Sequence, residues 1–326
     1  MGVVDEDFIG SGGIPPPRLA GRGESVRRWS FRGGIVLLVA LLLYYPVGMV
    51  WIHNIDDDVK LAVDVKPNES RSVAVAATLI ARETNRNRCT ANDPFFLPAA
   101  ALDNMPNFQQ GIIYALSRFA IEMIDQIGRV RGSSQVDKDL DTAAGLLKYP
   151  GDVWFFNFST SIMPTAASEQ QYRKAGRALK AYNERLAQGE ATFERRADNL
   201  QTTLERIAAD LGSASAVIDS QIEDGAWFIN FDADDIFYQT KGRLYAYYEL
   251  LAAFRQDFGQ VIQERELGKA GDQMLESMRH AAVLDPFVIV NGDPEGQLLP
   301  SHLAAQGFYL LRARTQLKEI ANILLK

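Results

Sequence analysis

The sequence predicts a mainly α-helical protein: an N-terminal transmembrane helix, then an exported multi-helix bundle with a long helical hairpin. Three observations lead there. Eighteen consecutive residues, Ile35 to Ile52, carry no charge. Apolar residues then recur at helical spacing over most of the remaining chain. Almost no run alternates with the period of two that a half-buried strand needs.

Residues 1–33 hold Gly10, Gly12, Gly13, Pro15-Pro16-Pro17, Gly21 and Gly23 and few side chains able to build a core. They are expected to form a disordered cytoplasmic tail. Residues 34–53 form the anchor, because eighteen residues at about 1.5 Å each give roughly 27 Å, close to the hydrocarbon thickness of a bilayer. Arg22, Arg27, Arg28 and Arg32 precede the span and Asp56, Asp57 and Asp58 follow it. That asymmetry places the N-terminus in the cytoplasm and residues 54–326 in the periplasm, as a single-pass protein of a bacterial inner membrane. No small-x-small cleavage site closes the span, so it reads as an uncleaved signal anchor. The three aspartates read as a solvated flank.

Beyond the anchor, helical spacing returns from Val73 to Ile80 and stops before Asn92-Asp93-Pro94. A second helix carries Ile113, Leu116, Ala120, Ile124 and Ile127 on one face. The longest periodic stretch runs from about Ser168 to Ile218, with Tyr172, Leu179, Leu186, Phe193, Leu200 and Ile207 seven residues apart. Gly189 and Gly212 mark places where this long helix breaks or bends. Leu244, Tyr247, Leu251, Phe254, Phe258 and Val261 form a further stripe, and the two stripes are expected to pack antiparallel as a hairpin.

Short motifs also echo one another. Trp154-Phe155-Phe156-Asn157-Phe158 is matched by Trp227-Phe228-Ile229-Asn230-Phe231, and Gly176-Arg177 by Gly242-Arg243. Asp93-Pro94-Phe95 with Gln110-Gly111 is matched by Asp285-Pro286-Phe287 with Gln306-Gly307. The order is outer, inner, inner, outer, as expected for two related halves.

Composition limits the chemistry. With five basic and four acidic residues ahead of His53, 29 of the 34 basic and 37 of the 41 acidic residues lie beyond it. Such an acidic surface repels nucleic acid, which is not an expected partner. Cys89 is the only cysteine, which excludes an intrachain disulfide. His53, His280 and His302 are too scattered for a zinc-protease motif, and neither a phosphate-binding glycine loop nor a nucleophile elbow is present. No cofactor and no catalytic residue is assigned. Asp232, Asp234 and Asp235 are the metal candidates, since clustered carboxylates suit a hard cation. The same acids suit the N-terminal end of a helix starting near Ile236, and Ser159-Thr160-Ser161 in the first copy of the motif has no acids, which favours capping. Trp227, Phe228, Tyr238, Tyr245 and Tyr248, with Tyr247 beside them, are candidates for an aromatic binding surface, but aromatic core packing is the favoured reading, since Tyr can bury its ring while keeping its hydroxyl bonded.

Several stretches resemble a known family: Tyr45-Pro46-Val47-Gly48-Met49 leading to Asp56-Asp57-Asp58, Asn92-Asp93-Pro94-Phe95, Leu102-Asp103-Asn104-Met105-Pro106-Asn107-Phe108-Gln109, and Tyr182-Asn183-Glu184-Arg185-Leu186-Ala187. The chain is similar to uncharacterised single-pass inner-membrane proteins of proteobacteria classed as a domain of unknown function. The resemblance implies topology and compartment but no mechanism. The expected role is a non-enzymatic envelope interaction or scaffold protein whose partners are the inner membrane and another envelope protein, glycan or lipid. The alternatives are a carboxylate or metal-dependent hydrolase of an envelope glycan or lipid, and a lipid-binding module.

Overall fold

A computed structural model describes residues 22–128, 136–156, 162–223, 231–292 and 300–326. Among these residues the regular structure is helical, relieved only by two isolated β-bridges. Helix α1 (Arg22–Ile52) contains the uncharged run, and from Val26 onward it is long and apolar enough to cross a membrane, with none of that window buried by the rest of the chain. Such a helix serves as a membrane anchor or as a signal sequence. It starts at Arg22, so residues 22–33 of the expected disordered tail are helical instead. Once the span has formed a helix, each further residue adds a hydrogen bond without a new nucleation cost. Residues 53–69 then run without regular structure along the bundle, with Ile55, Val59, Leu61 and Val63 packed on its core.

The bundle begins with α2 (Arg71–Ala81), where Ser70 Oγ accepts from Val73 N at the N-terminus. A π-turn, Arg82–Arg86, ends it. A 3-10 turn at Pro98–Ala101 precedes α3 (Asn104–Glu122), which Asp103 caps. Next come α4 (Lys138–Leu147), capped by Asp137, and α5 (Ser168–Ala187). They are followed by α6 (Ala197–Glu223) and α7 (Phe231–Asp257). The short α8 (Gly259–Glu264), α9 (Gly268–Ala282) and α10 (His302–Leu324) complete the order.

Helix α7 is the axis: α2, α3 and α9 pack directly on it, α5 and α4 extend the layer beyond α2, and α6 pairs with α10. Its predicted stripe is therefore only part of a helix buried on nearly every side, Ala233, Phe237, Leu244, Leu250 and Phe254 included. The predicted long helix is two helices. Gly189 adopts φ +77° just past the end of α5, a left-handed conformation that a helix cannot continue through. Gly212 does not break α6; it lets Arg314 of α10 approach, and a Cβ there would come within 2.8 Å of the Arg314 Nη2. The expected hairpin is also redistributed, because α6 makes its main contact with α10 and α7 with α3. The α3–α7 crossing is close because glycines face backbone: a Cβ on Gly111 would stand 2.9 Å from Arg243 N, and one on Gly242 2.8 Å from the Phe108 carbonyl carbon.

Two buried polar clamps hold the layers in register. Asp257, at the last residue of α7, accepts from Arg71 N at 2.8 Å, Ser72 N at 2.9 Å and the Ser70 and Ser72 hydroxyls at 2.9 and 2.7 Å. A carboxylate from one helix thus satisfies the free amides opening another. Asn183 on α5 closes the same corner, its Oδ1 accepting from Ser70 N at 2.8 Å and its Nδ2 donating to Ser70 O at 3.0 Å. This gives the Tyr182–Ala187 motif a structural role.

Candidate functional site

The tyrosines considered for an aromatic surface pack into the bundle. Tyr238, Tyr245 and Tyr247 are buried and Tyr248 is half-buried. Tyr247 donates to Asp210 Oδ2 at 2.9 Å, and Tyr245 donates to the Asp58 carbonyl at 2.8 Å while accepting from Arg82 Nη1 at 2.7 Å. Burying the ring while bonding the hydroxyl is the arrangement that lets tyrosine replace phenylalanine in a core. Trp227 and Phe228, and with them the second copy of the aromatic motif up to its last residue, lie outside the described residues.

The acidic candidates lie at the start of α7, which begins at Phe231 rather than near Ile236. Asp232 and Asp234 therefore sit inside the first turn, where their charge complements the helix dipole. Asp235 Oδ1 accepts from Asn107 Nδ2 at 2.7 Å, and the Asn104 amide, with its NH2 turned to the acids, donates to Asp234 Oδ2 at 2.8 Å. Burial, reinforced by Asp103 and Asp235, pushes the Asp234 carboxyl up to about 6. Among the described residues no three His, Cys, Asp or Glu side chains converge as a metal ion requires. The acids join α3 to α7 through amides.

What the fold does assemble is the junction between α1 and the bundle. Asp56, Asp57 and Asp58, expected as a solvated flank, are built into it. Asp56 Oδ1 is 3.4 Å from Arg82 Nη1, and Asp57 Oδ2 is 2.8 Å from Lys241 Nζ. Lys241 is 0 % exposed on α7, and its second neighbour is Asp285 at 3.6 Å. Arg82 Nε donates to Glu83 Oε1 at 2.7 Å, and Gln109 Nε2 donates to Glu83 Oε2 at 3.1 Å. Buried charges of this kind contribute little net stability as pairs, yet losing one partner strands the other. The segment after the anchor is therefore keyed to one position on the bundle. Glu249, one helical turn beyond Tyr245, is 6 % exposed, and burial pushes its carboxyl up to about 7 against the pull of Arg82.

Helix α1 itself is also held. Tyr44 Oη donates to the Phe96 carbonyl at 3.0 Å and Tyr45 Oη to the Phe95 carbonyl at 2.5 Å. Gly48 lies against Pro98, and a Cβ there would stand 2.5 Å from the Pro98 Cβ. The loop so held, Phe95-Phe96-Leu97-Pro98-Ala99-Ala100-Ala101, is wholly apolar. Phe95 is 83 % exposed, and Phe96 meets Trp154 edge to face at 5.6 Å, continuing into Phe155 and Phe156. Tyr45 lies seven residues before Ile52, about 10 Å along the helix axis.

Burial pushes the Cys89 thiol up to about 12, which keeps it protonated and inert. His302 Nδ1 accepts from Val290 N at 2.9 Å and is held as a structural acceptor.

Three of the four stretches singled out by resemblance meet at this junction, with Tyr45 and Gly48 on α1, Phe95 on the loop and Gln109 beneath it, whereas Tyr182–Ala187 lies at the α5–α2 corner. A bacterial family, DUF2333, described as an uncharacterised protein conserved in bacteria, matches residues 24–227 and 219–326. The chain belongs to this family. No curated protein and no solved structure matches it. DUF2333 thus supplies no activity, and what the protein does has to be read from its geometry. The junction was only half legible beforehand. The Asp triplet stands out in the sequence, whereas Arg82 and Lys241 carry no local mark, because nothing nearby in sequence reveals that they are buried.

Proposed function

We propose that this DUF2333 protein is a non-enzymatic, membrane-tethered scaffold of the bacterial envelope. Its N-terminus is cytoplasmic, its anchor is retained, and its helical bundle is seated on the periplasmic leaflet of the inner membrane, where it engages another envelope component. The observation that carries this is the docking of α1: Tyr44, Tyr45 and Gly48 are committed to the loop 95–98, and Asp56 and Asp57 to Arg82 and Lys241. A signal peptide destined for removal has no use for bonds to the mature domain. A bundle fixed against the bilayer presents its outer helices at a constant height and orientation, as a scaffold requires. The α6 and α10 pair carries exposed apolar side chains, Val217, Phe308 and Leu311 among them.

The test uses the full chain in native inner-membrane vesicles, with photo-crosslinking residues at Val217, Phe308 and Leu311. The expected result is a full-length protein, protected from protease on the cytoplasmic side and crosslinked to one reproducible component. A product shortened by the anchor, or a monomeric protein giving no crosslink from any of the three positions, overturns the proposal.

A further inference from the structure

Between α1 and the bundle lies a cleft of about 1010 Å3, separate from the buried ion pairs. Its lower wall is apolar, with Ala40, Leu43 and Val47 of α1 facing Leu97 and Pro98. Its upper rim is basic and polar, with His53, Arg86 and Arg88, and no carboxylate among its lining residues. From Ala40 to Ile52 the wall rises about 18 Å, roughly one leaflet of the hydrocarbon core. The cleft is thus graded as a phospholipid is, with a hydrocarbon slot below and cations at headgroup height.

The rim is presented by unusual backbone. Arg86 closes the π-turn that ends α2, and Arg88 adopts φ +62°, a left-handed conformation costly for a residue with a Cβ. Buried side chains hold it there: Gln109 Nε2 donates to the Arg88 carbonyl at 2.8 Å, and Gln109 Oε1 accepts from Thr90 N at 3.1 Å. Asn54 Nδ2 donates to Asn87 Oδ1 at 3.0 Å and ties the end of the anchor to the same turn. Arg88 Nη2 reaches Asp93 Oδ2 at 3.3 Å, which leaves its other N–H donors for a ligand, and Arg86 pairs with no carboxylate among the described residues. In an acidic domain, two arginines held over an apolar slot are a local reversal of charge.

We propose that this cleft binds one anionic phospholipid from the leaflet, its acyl chain lying along Ala40 to Val47 and its phosphate between Arg86, Arg88 and His53. The inference rests on α1 being a retained anchor. A bound lipid would fill the space between anchor and bundle and make the membrane part of the junction.

Trp51 lines the cleft and serves as the reporter. In a full-length variant with Trp29, Trp154 and Trp227 replaced by Phe, Trp51 quenching is measured in phosphatidylcholine vesicles containing chain-brominated phosphatidylglycerol, then in vesicles where phosphatidylcholine is the brominated lipid. The expected result is stronger quenching by phosphatidylglycerol at equal bromine content. Each arginine near the surface should favour the anionic lipid by about fivefold, so Arg86→Gln with Arg88→Gln should lower the preference roughly 25-fold. Arg86→Lys with Arg88→Lys should retain most of it, and an unchanged thermal midpoint shows that the Gln variant is folded. Equal quenching by both lipids overturns the proposal, as does a preference that survives in the Gln variant. Loss of the preference on adding inorganic phosphate would also overturn it, by assigning the rim to a soluble anion. A chain found cut after the anchor defeats the retained-anchor premise instead, and is recognised by its lower mass.

Discussion

Replacing Gly242 by alanine tests the packing argument most directly. The new Cβ would stand 2.8 Å from the Phe108 carbonyl carbon and 3.1 Å from its Cα. Carbon atoms in ordinary contact are about 3.5 to 4.0 Å apart, and the Phe108 carbonyl oxygen stands nearer still, so α3 must retreat by roughly 1 Å or more. All three obstacles are backbone, and no rotamer change relieves them. A gap of that size forfeits about a quarter to a half of the dispersion energy of the atoms separated. The cost should lie near the top of the overpacking range, about 3 kcal/mol. Alanine's better helix propensity returns about 1 kcal/mol, leaving a net loss of about 2 kcal/mol. For a domain of this size that corresponds to a midpoint lowered by roughly 4 to 8 °C. The assay is thermal unfolding of the full chain in detergent, with Gly145→Ala as its counterpart. Gly145 lies inside α4 with nothing within 4 Å of its would-be Cβ, so the same chemical change should raise stability there by up to about 1 kcal/mol. A Gly242→Ala protein as stable as the parent would refute the close crossing.

Glu249 should make the bundle more stable in mild acid. Its folded-state pKa of about 7 lies above the ordinary 4.5, so stability falls as pH rises from 4.5 to 7 and stays low above that. That displacement corresponds to about 3 kcal/mol, and Glu249→Gln should lose that share of the slope, leaving the smaller part from Asp234, and exceed the parent in urea unfolding at pH 8. Identical slopes in the two proteins would disprove the assignment. Asp257→Ala removes a carboxylate accepting four hydrogen bonds at the start of α2 and should cost about 3 kcal/mol in the same assay. Cys89 should resist a thiol-specific reagent at pH 8 in the folded protein and react at once in denaturant; rapid labelling of the native chain would contradict its burial.

Much of the fold was visible in the sequence for a local reason. A span, a cap or a helix-ending glycine depends on residues within a turn or two of itself. The Gly-Arg and Gln-Gly pairs were visible as motifs, but the use of Gly111 and Gly242 as points of backbone contact appears only when α3 and α7 are laid across each other. The tyrosines of α7 show the same limit. Their spacing indicates a helix, but whether they line a groove or fill a core depends on how many helices surround α7. The Asp triplet looked like a charged flank because its partners, Arg82 and Lys241, are 26 and 184 residues away from Asp56 and Asp57 in the numbering.

The sequence by itself determined an N-terminal helix able to span a membrane, a helical domain behind it and the absence of familiar catalytic motifs. Hydrophobic run length and period are properties of neighbouring residues. Only the tertiary structure decided that α1 is docked rather than loosely attached and that Asp56 and Asp57 pair with the buried Arg82 and Lys241. It alone raises Arg86 and Arg88 above an apolar slot. Those features exist because α1, the loop at 95–98 and the turn at 86–88 meet in space, and no local pattern records a meeting between distant segments.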